Sequence, residues 1–182
     1  VKPSVSSLPG AAFFRAAGLA MLMAVAAGPA RAVDGTSVGT ASGLPIPRFV
    51  SLKSDRVNLR EGPSKDHRTS WVFQRAGLPV EITAEFETWR RIRDSEGAEG
   101  WVLHSLLSGR RTGLVAPWWK QGPLALYAEP NAKAGVVAQL QPGVLGNLKT
   151  CSGSWCRITG PDFDGWIQQD KIWGAYPQEK VD

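Results

Sequence analysis

Side chains able to do chemistry are few in this 182-residue chain, which holds two cysteines and two histidines. Cys151 and Cys156 stand five apart in TCSGSWCRI, a spacing open to a redox couple, half a metal site, a reactive thiol or a disulfide. His67 and His104 stand 37 apart, with no ligand or triad spacing around either. No G-x-S-x-G, H-E-x-x-H or phosphate-cradling glycine loop occurs. Asp162, Phe163, Asp164 and Gly165 begin like a calcium loop, but the closing glutamate and the other carboxylates are absent. This inventory leads to an expectation of no catalytic residues, no metal and no cofactor. What remains is binding, and the residues suited to it are aromatic and basic.

Compartment narrows the choice for the cysteines. Lys2 and Arg15 lie near an apolar run at 16–27, and Ala30-Arg31-Ala32 has the A-x-A form of a cleavage site. The run is too short to span a bilayer, so residues 1–32 read as a secretory signal peptide with no stable membrane insertion after cleavage. Three basic and no acidic residues lie there, leaving 18 basic against 16 acidic in the rest, a net of +2. The dense basic footprint of a nucleic-acid binder is missing. A periplasmic or secreted location is expected.

The elements that must position any site recur twice. EFETWRRI (85–92) aligns with CSGSWCRI (151–158), EGWVLHSLLSG (99–109) with DGWIQQDKIWG (164–174), and VNLREGP (57–63) with LALYAEP (124–130). The offsets of 65 to 67 are too long for common solenoid repeats and indicate two tandem small domains. Each copy is a series of short apolar runs between turn signals, as in a small barrel or sandwich. Thirteen prolines and twenty glycines supply the turns. The expected class is all-β: two tandem small β-barrels, at 48–112 and 113–176. They follow a flexible linker at 33–47 and precede a C-terminal tail at 177–182.

VNLREGPS, an apolar strand, W-x-x-I and then GWV together resemble the bacterial SH3-like domain. The likeness covers roughly 50–109 and, more loosely, 116–174. In two copies with a leader, the chain is similar to tandem SH3-like proteins exported by alphaproteobacteria. That resemblance implies a partly open barrel binding peptides or cell-wall material, and no catalysis.

The repeat also places the cysteines. Trp89 matches Trp155, so Cys151 falls on Glu85 and Cys156 on Arg90. Both pairs flank a four-residue loop between apolar strands, the layout of a hairpin. In an exported protein such a pair should close a structural disulfide, with a β-bulge nearby because simple alternation gives no clean faces. The corresponding Glu85–Arg90 pair is expected to contribute little if exposed.

Trp89, Trp155, Trp101 and Trp166 recur in both copies and are assigned to the scaffold. The unmatched aromatics are the candidate binding residues. Trp118 and Trp119 fall on Ser51 and Leu52, Trp173 on Ser108, and Trp71 near Val137. With Tyr127 and Tyr176, Trp118, Trp119 and Trp173 could form an aromatic surface on the second copy, or be buried between the copies. Arg90, Arg91 and Arg93 form a basic strand that could meet wall carboxylates, or could be a solvated face. The expected partner is peptidoglycan, with an envelope protein bound by a scaffold as the alternative.

Overall fold

The computed structural model describes residues 37–182; the expected signal peptide lies outside the described residues. A short hairpin comes first, β1 (Ser37–Val38) with β2 (Pro45–Ile46). The first barrel comprises β3 (Arg48–Leu52), β4 (Val57–Arg60), β5 (Thr69–Phe73), β6 (Pro79–Phe86), β7 (Trp89–Arg93), β8 (Glu99–Leu103) and β9 (Leu107–Ser108). The second comprises β10 (Thr112–Val115), β11 (Leu124–Tyr127), β12 (Val136–Leu140), β13 (Leu145–Ser152), β14 (Trp155–Thr159), β15 (Asp164–Gln168), β16 (Ile172–Trp173) and β17 (Lys180–Val181).

Neighbouring strands run β5-β4-β8-β7-β6-β3-β9 in the first sheet and β12-β11-β15-β14-β13-β10-β16 in the second. The two orders are the same, strand for strand, so the repeat in the sequence is a repeat of topology. Each barrel encloses its own apolar cluster. Val57, Leu59, Val80, Ile82, Ile92 and Val102 form the first, and Val115, Leu126, Leu148, Ile158, Ile167 and Ile172 the second. The alternating burial of β4 and of β11, buried then half-buried, is the period-two pattern of a strand with one face on a core.

Cys151 and Cys156 face each other directly across the β13–β14 hairpin and are joined by a disulfide, with S–S 2.08 Å. Glu85 faces Arg90 at the same place between β6 and β7. The expected bulge is present in both copies, as a register shift between Leu148 and Thr150 and between Ile82 and Ala84. Both sulfur-bearing residues are buried against the second core. Closing so short a loop restricts the unfolded chain only modestly. A Cys151→Ala/Cys156→Ala variant is expected to lose about 2 kcal/mol of stability. Urea denaturation monitored by circular dichroism measures this; a loss below about 0.5 kcal/mol would contradict it.

Three features differ from the sequence reading. The tail at 177–182 belongs to the second barrel: β17 pairs with Cys151 and Ser152, and Val181 enters the core. Residues 37–46 of the expected flexible linker form an ordered hairpin tied to Glu85. Ala41 and Ser42 donate backbone N–H bonds to Glu85 Oε2 at 3.0 and 2.8 Å, and the Ser42 hydroxyl donates to Oε1 at 2.6 Å. Gly39 makes this approach possible, since a Cβ there would lie 2.4 Å from the Glu85 carboxyl carbon. Both added segments meet the same strand position, Glu85 in one barrel and Cys151–Ser152 in the other.

The third difference concerns Trp118 and Trp119. Trp173 pairs with Leu114 as Ser108 pairs with Ser51, so the true counterparts of Ser51 and Leu52 are Leu114 and Val115. The connection after β3 runs 53–56, whereas that after β10 runs 116–123. Trp118 and Trp119 therefore sit in a loop lengthened by four residues in the second copy.

Candidate binding cleft between the barrels

The two barrels meet through side chains at the end of the second repeat. Gly174 turns the chain with φ +124°, and a Cβ there would come 2.2 Å from the Thr112 carbonyl oxygen. This turn sends Trp173 and Tyr176 onto the same residue of the first barrel. Phe49 meets Trp173 edge-on at 5.0 Å between ring centroids and Tyr176 at 4.7 Å with the rings tilted. Trp173 Nε1 donates to the Pro79 carbonyl at 3.1 Å. The Tyr176 hydroxyl donates to Glu81 Oε1 at 2.8 Å, and Glu81 Oε2 accepts from Arg93. Burial, then the Glu81 carboxylate that accepts its proton, raises the Tyr176 phenol far above its usual range. Thr112 Oγ1 donates to the Gly77 carbonyl at 2.7 Å and adds a polar tie.

A cleft of ≈ 710 Å³ opens beside this seam. Phe49, Trp118, Trp155, Trp173 and Tyr176 supply aromatic surface, while Glu81, Arg93, Gln168 and Asp170 supply polar groups at its wall. Its volume lies within the range of small-molecule and peptide pockets. Trp118 is 49% exposed, held out by the lengthened loop rather than buried in either core.

The aromatic surface expected on the second copy is thus divided between two roles. Trp173 and Tyr176 are half-buried at the seam and line the cleft, and Trp118 lines it from the lengthened loop of the same barrel. Trp119 packs instead against the second core, with Lys171 Nζ 5.1 Å from its ring. Tyr127 stands edge-on to Trp155 at 5.6 Å. Trp71, 59% exposed, lines a separate depression with Phe73, Leu78, Pro117 and Gly143.

The basic strand is not one surface. Arg90 is buried, with its guanidinium bonded to the carbonyls of Glu87 and Trp89 and 3.3 Å from Glu85, so it cannot reach a ligand. Arg91 is exposed and paired with Glu99 at 2.7 Å. Arg93 reaches the cleft while bound to Glu81. Trp155 was placed in the scaffold by its recurrence, yet it lines the cleft; of the four recurring tryptophans only Trp89 is buried. Recurrence marked a shared strand position, and the inserted loop and the neighbouring barrel made that position a wall.

The family model for the bacterial SH3 domain matches this chain twice, at residues 53–109 and 120–174. The chain belongs to the bacterial SH3 domain family. It is a tandem pair of domains of a binding-domain family, with a disulfide in the second. Among solved structures it is similar to NlpC2 from Trichomonas vaginalis, at 13% identity and a TM-score of 0.32, covering 70% of this chain and 48% of that one. NlpC1 of the same organism matches at 13% identity and TM-score 0.32, over 74% and 48%. An NlpC/P60 family protein from Bacillus cereus matches at 12% and 0.31, over 69% and 55%. This chain spans about half the length of those proteins. No curated protein matches it.

Proposed function

We propose that this bacterial SH3 pair is an exported, non-enzymatic binding module that captures peptide-bearing cell-wall material in the cleft between its barrels. The observation that carries this reading is the convergence of Phe49, Trp118, Trp155, Trp173 and Tyr176 on one cavity. Flat aromatic faces give large contact area at small entropic cost and suit extended peptide or glycan segments. Gln168, Asp170 and the Glu81–Arg93 pair stand where backbone amides or a stem carboxylate would need partners. A disulfide agrees with an oxidising compartment, which supports a periplasmic or secreted location. Among the described residues no helix is long and apolar enough to cross a membrane.

Trp118 offers a test that spares the fold, because half its surface is already in solvent. Purified protein is expected to co-sediment with isolated sacculi, and Trp118→Ala to weaken that binding about tenfold or more, the scale of a buried aromatic anchor. Sedimentation unchanged by Trp118→Ala would move the site elsewhere. A wild-type protein left in the supernatant would defeat the wall assignment in favour of an envelope protein as partner.

A further inference from the structure

The first barrel carries a second, chemically different pocket. It measures ≈ 270 Å³ and is lined by Arg56, Asn58, Arg60, Lys65, Trp89, Leu103 and Leu106. It shares no lining residue with the inter-barrel cleft. Three cations converge there on an apolar floor made by an indole and two leucines.

Charge neutralisation distinguishes these cations from the arginines of β3 and β7. Arg48, Arg90, Arg91 and Arg93 each face a carboxylate within ion-pair distance. Among the described residues Arg56, Arg60 and Lys65 form no such pair. Arg60 is nevertheless fixed, since its Nη1 donates to the carbonyls of Lys65 at 3.0 Å and His67 at 2.7 Å. These bonds hold the 65–67 loop over the pocket and leave the rest of the guanidinium without a carboxylate partner. A guanidinium already fixed in place loses little freedom on meeting an anion.

The second barrel provides an internal control. Arg60 pairs with Trp101 as Tyr127 pairs with Trp166, and Trp89 pairs with Leu103 as Trp155 pairs with Gln168. In the second copy the arginine position is therefore a tyrosine whose ring stands edge-on to the tryptophan at 5.6 Å. Counting back along the same strand, Arg56 and Asn58 correspond to Pro123 and Ala125. One scaffold position is thus filled by aromatic packing in one barrel and left open and cationic in the other.

We propose that Arg56, Arg60 and Lys65, above the Trp89 ring, form a subsite on the first barrel for the terminal carboxylate of a short peptide. This does not depend on the cleft assignment. The volume falls just under the range for whole ligands, which fits an end group rather than a chain passing through. The apolar floor suits a small terminal side chain, and two or three donors around a carboxylate give the strong, charge-assisted bonds that fix its orientation. Asn58 stands within the lining to meet the adjoining amide.

The test titrates the full protein with acetyl-Ala-Ala bearing a free carboxylate, with its C-terminal amide and with inorganic phosphate. The Trp89 indole N–H and the Asn58 side-chain amide are followed by NMR. The free-carboxylate peptide is expected to shift both resonances saturably, with the amide at least tenfold weaker. Arg56→Ala/Lys65→Ala alters two exposed side chains, and a dispersed spectrum verifies its fold; binding to it should fall about tenfold or more. Trp118→Ala should bind the peptide unchanged, which separates this site from the cleft. Equal binding of the amide, no shift in the wild type, or unchanged affinity in the double variant each overturns the proposal. Phosphate shifting the same resonances as tightly as the peptide overturns the peptide assignment and leaves a free-anion site.

Discussion

Glu85→Ala is expected to cost about 3–5 kcal/mol, one of the two largest single-residue effects in the protein. The Glu85 side chain is 0% exposed, yet it is charged and central to a cluster. Arg48 Nη2 lies 2.8 Å and Arg90 Nε 3.3 Å from Oε1, while the Ser42 hydroxyl and the N–H groups of Ala41 and Ser42 complete its bonds. Removing the carboxylate leaves two guanidinium groups covered and facing one another without their counter-charge, and releases the 37–46 hairpin from its anchor. Sequence alignment with a disulfide suggested a minor surface pair here; the hairpin that covers it turns it into a buried one. Chemical denaturation of the variant measures the effect. A loss under 1 kcal/mol would show that water replaces these bonds at little cost.

The same cluster makes stability depend on acid. Burial pushes the Glu85 carboxyl up, but the Ser42 hydroxyl, Arg48 and the two backbone N–H groups outweigh it and hold the pKa at about 2, against an ordinary 4.5. Folding thus favours the ionised form. Its contribution is complete above about pH 4.5 and is lost as pH falls from there through about 2. On the order of 3 kcal/mol is expected to disappear over that window, and Glu85→Gln should flatten this part of the stability–pH profile. An unchanged profile in the variant would assign the acid sensitivity to other carboxylates.

Legibility followed the kind of information each feature needs. Strand positions and the two-copy topology depend on local alternation and turn residues, so VNLR, WRRIR and GWV revealed them. Cys151 opposite Cys156 also followed, because a tight hairpin dictates its own facing pairs, although the connection is two residues (153–154) rather than the four expected. What failed was anything set by segments outside the repeat or by one barrel meeting another. DGTSVGTASG has the small, polar composition of a linker, and the carboxylate of Glu85, distant in sequence, anchors it by accepting from the N–H groups of Ala41 and Ser42. Trp118 was aligned with Ser51 because a constant offset was carried across an insertion that changes the loop but not the strands. Trp155 and Trp166 repeat equally well in sequence, but only one faces the cleft, a distinction that depends on where the neighbouring barrel sits.

Trp173→Ala is expected to cost about 3 kcal/mol and to uncouple the barrels. The ring closes the seam against Phe49 and its indole N–H satisfies the Pro79 carbonyl. Truncation opens a cavity and strips a partner from a backbone acceptor at once, at the lower end of tryptophan losses because the ring is only half-buried. Each barrel has its own core but few residues, and a core of that size gives marginal stability alone. The seam therefore couples two weak units, and its loss should convert one unfolding transition into two. Indole resonances of Trp71 and Trp166 report the barrels separately during urea titration. Tyr176→Phe removes only the bond to Glu81 and should cost about 1.5 kcal/mol while keeping a single transition. Coincident midpoints in Trp173→Ala would show that the backbone linkage, the Tyr176 contacts and the Thr112–Gly77 bond suffice to join the barrels, leaving Trp173 to serve the cleft alone.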